Sequence, residues 1–328
     1  MSSTEQISNQ KRWLAGKPLI LTHPVEPCLG KPGAGSTVFA TGYDFEYATC
    51  SNQFEIRRAN DCPLLFVFPQ PAAEALPVIY PKDYIPFRFN ELNGVVRWAR
   101  DFIQRGKARA LNRLAENTGK ILDVGTGSGM LLRLLARVRG DRSNLWANDF
   151  SEGIIAPLVQ EGFPALVGPA ESLETPERFR VICLNQVLEH LQNPVRVVER
   201  LATMLEDGGY LFIETPSTDG RDSRLFQRRY WGGYHIPRHF WLFNEESLRQ
   251  LLAGTGLEVV EVRYLCSPAF WIQSLHHALL DKGWTTLSKF FSVKNPLLLA
   301  VFTALDTITI WFGGKTSNIR IVGRKVSR

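Results

Sequence analysis

An alternation constrains this chain more than any other feature. Between residues 119 and 264, short apolar runs take turns with segments of helical periodicity. The runs at 119–124, 144–149, 164–168, 180–185, 210–216 and 257–264 have the length and apolarity of buried strands. The segments 130–138, 152–162, the stretch opening at Asn193 and Pro194, and 245–256 space their apolar residues as helices do, several of them ending in glycine. Strands alternating with helices predict a parallel sheet covered on both faces. One further strand is expected at 318–325. The fold class is therefore α/β: doubly wound, with a mostly parallel seven-stranded sheet.

Two stretches fall outside the pattern. Residues 1–91 are rich in proline and glycine and read as an accessory N-terminal region. A helical stretch at 92–116 leads into the core, so the core is expected to span 92–264. Residues 265–317 read as an apolar helical insertion, and 318–328 as the last core strand with its tail. The 328 residues suffice for a sizeable buried core. A net charge of +6 is too small to argue for nucleic acid as a partner. The five cysteines are scattered and never form a CxxC, which suits reduced thiols in a cytoplasm. The first thirteen residues are polar and lack the apolar centre of a signal peptide.

The first strand runs into glycines at 125, 127 and 129, with Asp123 two residues ahead of the first. A dinucleotide fingerprint has a different spacing, GxGxxG. An aspartate at this place would repel a pyrophosphate and suits a ligand with positive charge. With DVGTGSG in place, the chain resembles the class I S-adenosylmethionine-dependent methyltransferases, whose first motif is an acidic residue followed by GxGxG. The resemblance implies that S-adenosylmethionine is the cofactor. It sets Asp123, Gly125, Thr126, Gly127 and Gly129 around the methionine portion. Asp149 closes the second strand about twenty residues on, where the fold requires a ribose acceptor, and Phe150 follows it. Ala170 and Glu171 lie in GPAESL (168–173), the loop that lines the adenine; Pro169 stands where relatives commonly carry aspartate. Asn185 ends the fourth strand. A nicotinamide oxidoreductase is disfavoured by the glycine spacing, and a S-adenosylmethionine-binding protein without turnover is the remaining rival.

Methyl transfer needs a positioned acceptor and, for a weak nucleophile, a base. After the fourth strand, NQVLEHLQNP (185–194) sets Gln186, Glu189 and His190 at i, i+3 and i+4, which predicts one face of a helical turn. The turn is similar to one in ubiquinone-pathway O-methyltransferases, where an E-x-x-E-H sequence can bind a divalent metal. Here Gln186 replaces the first glutamate, and no metal is assigned. After the fifth strand, residues 223–243 are dense in aromatics and carry His235, Arg238 and His239. The catalytic candidates are thus Glu189, His190, His235 and His239. Arginines and aromatic rings suit an anionic or ring-bearing substrate; the plainer reading is a packed aromatic lid with solvated arginines. ANDCPLLFVFPQP (59–71) faintly resembles the end of a zinc ribbon, but Ala59 stands in for a cysteine, which implies a degenerate knuckle without zinc.

The insertion contains a long apolar run, 295–314, interrupted by Asp306 and ended by Gly313 and Gly314. Spanning a membrane would pull apart two strands that should pair. Two readings stay open: a packed helical subdomain, or a monotopic surface. In the second, Trp271, Trp284, Phe290, Phe291 and Trp311 dip into a membrane, with Lys282, Lys289, Lys294 and Lys315 near the headgroups. The expected acceptor is a small molecule, lipid-linked intermediate or glycan, methylated at oxygen, with carbon or nitrogen as the alternative atom.

Overall fold

The alternation resolves into one central sheet. The computed structural model describes residues 12–81 and 94–326, and the chain divides into two compact units. One comprises the described parts of 1–84, 216–244 and 264–318; the other comprises those of 85–215, 245–263 and 319–328. The N-terminus through residue 11 and the first two positions of the expected 92–116 helix lie outside the described residues.

In chain order, the first elements are β1 (Thr22–His23), β2 (Ser36–Gly42), β3 (Phe54–Ala59), β4 (Leu65–Phe68) and β5 (Gln70–Pro71). Helix α1 (Gly94–Leu114) precedes β6 (Ile121–Val124), α2 (Met130–Arg139), β7 (Leu145–Asp149), α3 (Glu152–Gln160) and β8 (Ala165–Val167). Then come β9 (Phe179–Asn185), α4 (Pro194–Met204), β10 (Leu205–Pro216), α5 (Arg221–Phe226) and β11 (Trp241–Leu242). The chain continues with α6 (Glu245–Ala253), β12 (Leu257–Leu265), α7 (Pro268–Asp281), α8 (Thr285–Phe290), α9 (Pro296–Trp311) and β13 (Asn318–Lys325).

The seven-stranded sheet has the order β12-β13-β10-β9-β6-β7-β8. β6 pairs in parallel with β7 on one side and β9 on the other, so the strand order reverses at its carboxyl end. That switch point is where open α/β sheets bind ligands. All four residues of β6 are buried. Three are apolar, as a strand covered on both faces requires, and the fourth is Asp123. Helix α2 buries Leu131, Leu132, Leu134 and Leu135 and ends on Gly140 in the left-handed conformation. Each such leucine contributes roughly 1.5–3 kcal/mol. Helix α4 opens with Pro194, and the Asn193 side chain caps it by accepting from the Arg196 amide at 3.0 Å. It stops at Met204 because β10 begins at Leu205, which pairs with Phe179; a register shift separates that pair from the one at Tyr210.

The other unit holds an antiparallel sheet of order β11-β4-β3-β2 and the short pair β1-β5. Phe54, Ile56 and Val67 pack there with Trp231 and Tyr234. Residues 59–71 contribute part of this sheet and its β3–β4 turn, where the Cys62 thiol donates to the Leu29 carbonyl at 3.4 Å. All five cysteines are free, and nothing beyond the resemblance of 59–71 supports a zinc-ribbon origin. Residues 265–317 form α7, α8 and α9. Trp271 stacks on Phe302 at 5.6 Å between ring centroids. Asp306 is buried and accepts from the Ser267 amide at 2.7 Å and the Trp271 indole at 3.0 Å. Among the described residues, no helix is long and apolar enough to cross a membrane.

Candidate active site

The glycine turn lies at the carboxyl end of β6. Gly125, Gly127 and Gly129 all have positive φ, at +65°, +50° and +70°. Their surroundings differ. A Cβ on Gly125 would meet Val187 at 2.6 Å, and one on Gly129 would meet Leu158 at 2.3 Å. A Cβ on Gly127 would meet nothing within 4 Å. The outer glycines therefore serve packing, while the middle one presents bare backbone to open space.

Two carboxylates lie beneath the turn. Asp123 accepts from the Thr126 hydroxyl at 3.0 Å. Burial pushes its carboxyl up to about 7; Thr126 and Lys107 pull it down, and Asp149 pushes it further up. Asp149 accepts from the Gly127 amide at 3.2 Å and from the Ser151 amide at 3.1 Å. Burial raises it too, against those hydrogen bonds. Phe150 is exposed beside it. Asn148 donates to the carbonyls of Leu166 and Gly168, both at 3.0 Å, and ties β7 to the loop ahead of Ala170 and Glu171. Ala170 is buried and Glu171 half-buried on a single 3₁₀ turn.

Asn185 accepts from the Lys107 ammonium. Lys107 also pairs with Glu214, and Arg320 donates twice to Glu214, at 2.9 and 2.6 Å. A buried glutamate on β10 thus joins α1 to β13.

The turn after β9 differs from expectation. Gln186 has φ +56°, and only Leu188–His190 form a 3₁₀ turn, so Gln186 shares no helical face with Glu189 and His190. Glu189 is buried and accepts from the Thr215 hydroxyl at 2.9 Å. Burial raises its carboxyl to about 8. His190 is half-buried.

His235 and His239 belong to the other unit, with ring centroids 4.7 Å apart. His235 takes a left-handed φ of +42° and pairs through Nδ1 with Glu46. His239 Nδ1 bonds the Gly233 carbonyl at 2.8 Å, which leaves Nε2 as its other ring nitrogen. Arg238 is not solvated, contrary to the plainer reading of the 223–243 loop. It is fully buried and grips Asp44 with two hydrogen bonds, at 3.1 and 2.9 Å. The same unit has a cavity of about 540 Å³ lined in part by Arg58, Arg224, Gln227, Asn244, Asp61 and Asp219. Asp61 accepts from the Lys31 amide, and Asp219 from Tyr264. Arg58 lies over the Phe39 ring at 4.6 Å, and neither it nor Arg224 has an ion pair among the described residues.

A family model described as a methyltransferase domain matches residues 95–262, half of the chain and the whole glycine turn. The chain belongs to that family. The matched segment carries the doubly wound sheet and glycine turn that the resemblance to class I S-adenosylmethionine-dependent methyltransferases implies. It is similar to the mitochondrial ubiquinone biosynthesis O-methyltransferase of Candida albicans, 29% identical over 32% of this chain and 35% of that one. The ubiquinone biosynthesis O-methyltransferase of Stutzerimonas stutzeri is also 29% identical, over 29% and 44%. The chain thus spans less than half the length of these two relatives. A solved Burkholderia thailandensis 1,6-didemethyltoxoflavin-N1-methyltransferase is similar at 16% identity and a TM-score of 0.49, over 84% of this chain and 96% of that one.

For this methyltransferase the sequence located the glycine turn and both strand-end aspartates. It missed Lys107, Glu214, Arg320, Asn148 and Glu46. Lys107 could have been suspected from its place between Gly106 and Ala108 on an otherwise strongly charged helix. The others carry no local signal.

Proposed function

We propose that the protein transfers the methyl group of S-adenosylmethionine to an oxygen of a small acceptor, free or lipid-linked. The observation carrying this is Gly127, whose open left-handed backbone stands over Asp123 and Asp149 within the matched methyltransferase domain. Asp123 and the glycines would hold the methionine portion. Asp149 would hold the ribose, with Phe150, Ala170, Glu171 and Asn185 around the rest. S-adenosylmethionine supplies a methyl group already activated by a sulfonium. Bound there, it would supply that methyl group to the acceptor oxygen and leave as S-adenosylhomocysteine, while a side chain of the protein would take the oxygen's proton. Glu189, His190, His235 and His239 are the candidates. With its carboxyl near 8, Glu189 is mostly protonated at neutral pH and gains basic strength only as pH rises.

Oxygen as the acceptor atom is supported by the O-methyltransferases among the relatives. A cytoplasmic setting, supported by the five free thiols, belongs to the same proposal. Calorimetry with S-adenosylmethionine, followed by release of S-adenosylhomocysteine against phenols, carboxylates and amines, tests the reading. His190→Ala and His239→Ala should keep cofactor binding, and at least one should lose about 10²–10⁴-fold in turnover. Methylation of amines alone would move the chemistry to nitrogen, and cofactor binding with no turnover on any acceptor would leave a binding protein.

A further inference from the structure

Helix α9 carries an apolar stripe on its exposed side, while its two fully buried residues are polar. Asp306 and Thr309 are buried, and Thr307 meets the Cys266 thiol at 3.5 Å. The exposed side runs Leu297, Val301, Ile308 and Trp311, spaced by whole turns, and ends at Phe312. Leu297 is 65% exposed, Trp311 78% and Phe312 84%. Sixteen residues make this stripe about 24 Å long. A water-facing helix of a globular unit has the reverse pattern. Trp284, Leu287 and Phe290, on and beside α8, are also exposed. An apolar surface of this extent marks an interaction site.

Within residues 282–315 the exposed charge has one sign. Residues 282–315 contain Lys282, Lys289, Lys294 and Lys315; their one acid, Asp306, is buried. Lys282 lies over the Trp284 ring at 5.9 Å, and Lys315 stands 3.7 Å from Asp219. A second copy of this face would set lysines against lysines, which disfavours self-association.

We propose that α8 and α9 dock on the anionic surface of a lipid bilayer. The stripe lies in the interfacial plane, with Trp284, Trp311 and Phe312 below the headgroups and the lysines among them. The inference stands apart from the choice of acceptor and from turnover.

Flotation of the full chain tests it, with vesicles of phosphatidylcholine alone and of phosphatidylcholine mixed with phosphatidylglycerol. The chain should float with the mixed vesicles. Trp311→Glu combined with Phe312→Glu should lower the bound fraction by about tenfold or more, with an unchanged melting temperature because both positions are exposed. Lys282→Gln, Lys289→Gln and Lys294→Gln together should reduce binding to the mixed vesicles and remove its salt dependence. Three results would overturn the proposal. The chain could stay in solution with mixed vesicles, or the glutamate variant could float as the parent does. A vesicle-free dimer that the glutamate variant turns into monomer, without flotation of the parent, would assign the face to a second copy.

Discussion

The Asp149 carboxylate accepts the Gly127 amide at 3.2 Å, so the end of the second core strand braces the middle of the glycine turn. One side chain thereby shapes the turn and, in the proposed function, would accept from the ribose. Asp149→Ala should weaken S-adenosylmethionine binding by about 1–3 kcal/mol, from lost charge-assisted hydrogen bonds. Calorimetry on the variant checks this, and unchanged affinity would remove Asp149 from the cofactor site.

Binding should also move protons. The Asp123 carboxyl is pushed up to about 7, so it carries a proton in part of the molecules at neutral pH. The positively charged methionine portion would favour its ionised form and expel that proton. Calorimetry in buffers of different ionisation enthalpy should report proton release between about pH 6 and 7.5. Asp123→Asn should abolish it.

The glycines should separate by function. Gly127→Val should cost about 1–2 kcal/mol of stability, from its left-handed φ, and eliminate cofactor binding. Gly129→Val should lower the melting temperature further, since its Cβ would also strike Leu158. Thermal melts set beside cofactor titrations distinguish the two outcomes.

Glu189 should make stability fall as pH rises. Its folded carboxyl titrates near 8, above the ordinary value of 4.5, so the folded state holds a proton that the unfolded state releases earlier. The stabilisation is full below about pH 4.5 and is lost as pH climbs to about 8. The slope is at most about 1.4 kcal/mol per pH unit for one group. Glu189→Gln should flatten the slope in denaturant unfolding at pH 5.5 and 7.5, and an unaltered slope would exclude Glu189 as its source.

Removing one partner of the buried Asp44–Arg238 pair should be costly. Asp44→Ala leaves an uncompensated guanidinium and should destabilise its unit by about 3–5 kcal/mol. Chemical denaturation monitored by tryptophan fluorescence would show it.

These residues also mark what the sequence could reveal. Asp123 and Asp149 were legible because a strand end and a glycine turn are local patterns of a few residues. Arg238 and Asp44 stand 194 positions apart, and no periodicity joins them. Lys107 sits on a helix whose Arg105, Arg109 and Arg113 face solvent, and its burial beside Glu214 and Arg320 of β10 and β13 has no counterpart in the local sequence. The Gln186 turn was misread because i, i+3, i+4 spacing assumes helical dihedrals, and Gln186 takes a left-handed one. In α9, the apolar run was plain from sequence, but which side of the helix would face water was not.

The place of β13 bears on biosynthesis. It lies between β10 and β12. A ribosome therefore delivers both flanking strands, and three helices after them, before the strand that joins them exists. Until residues 318–325 emerge, β10 has an open edge and β12 has no neighbour in the sheet. A nascent chain paused at that stage exposes unpaired strand edges, the state in which chaperones engage and aggregation begins.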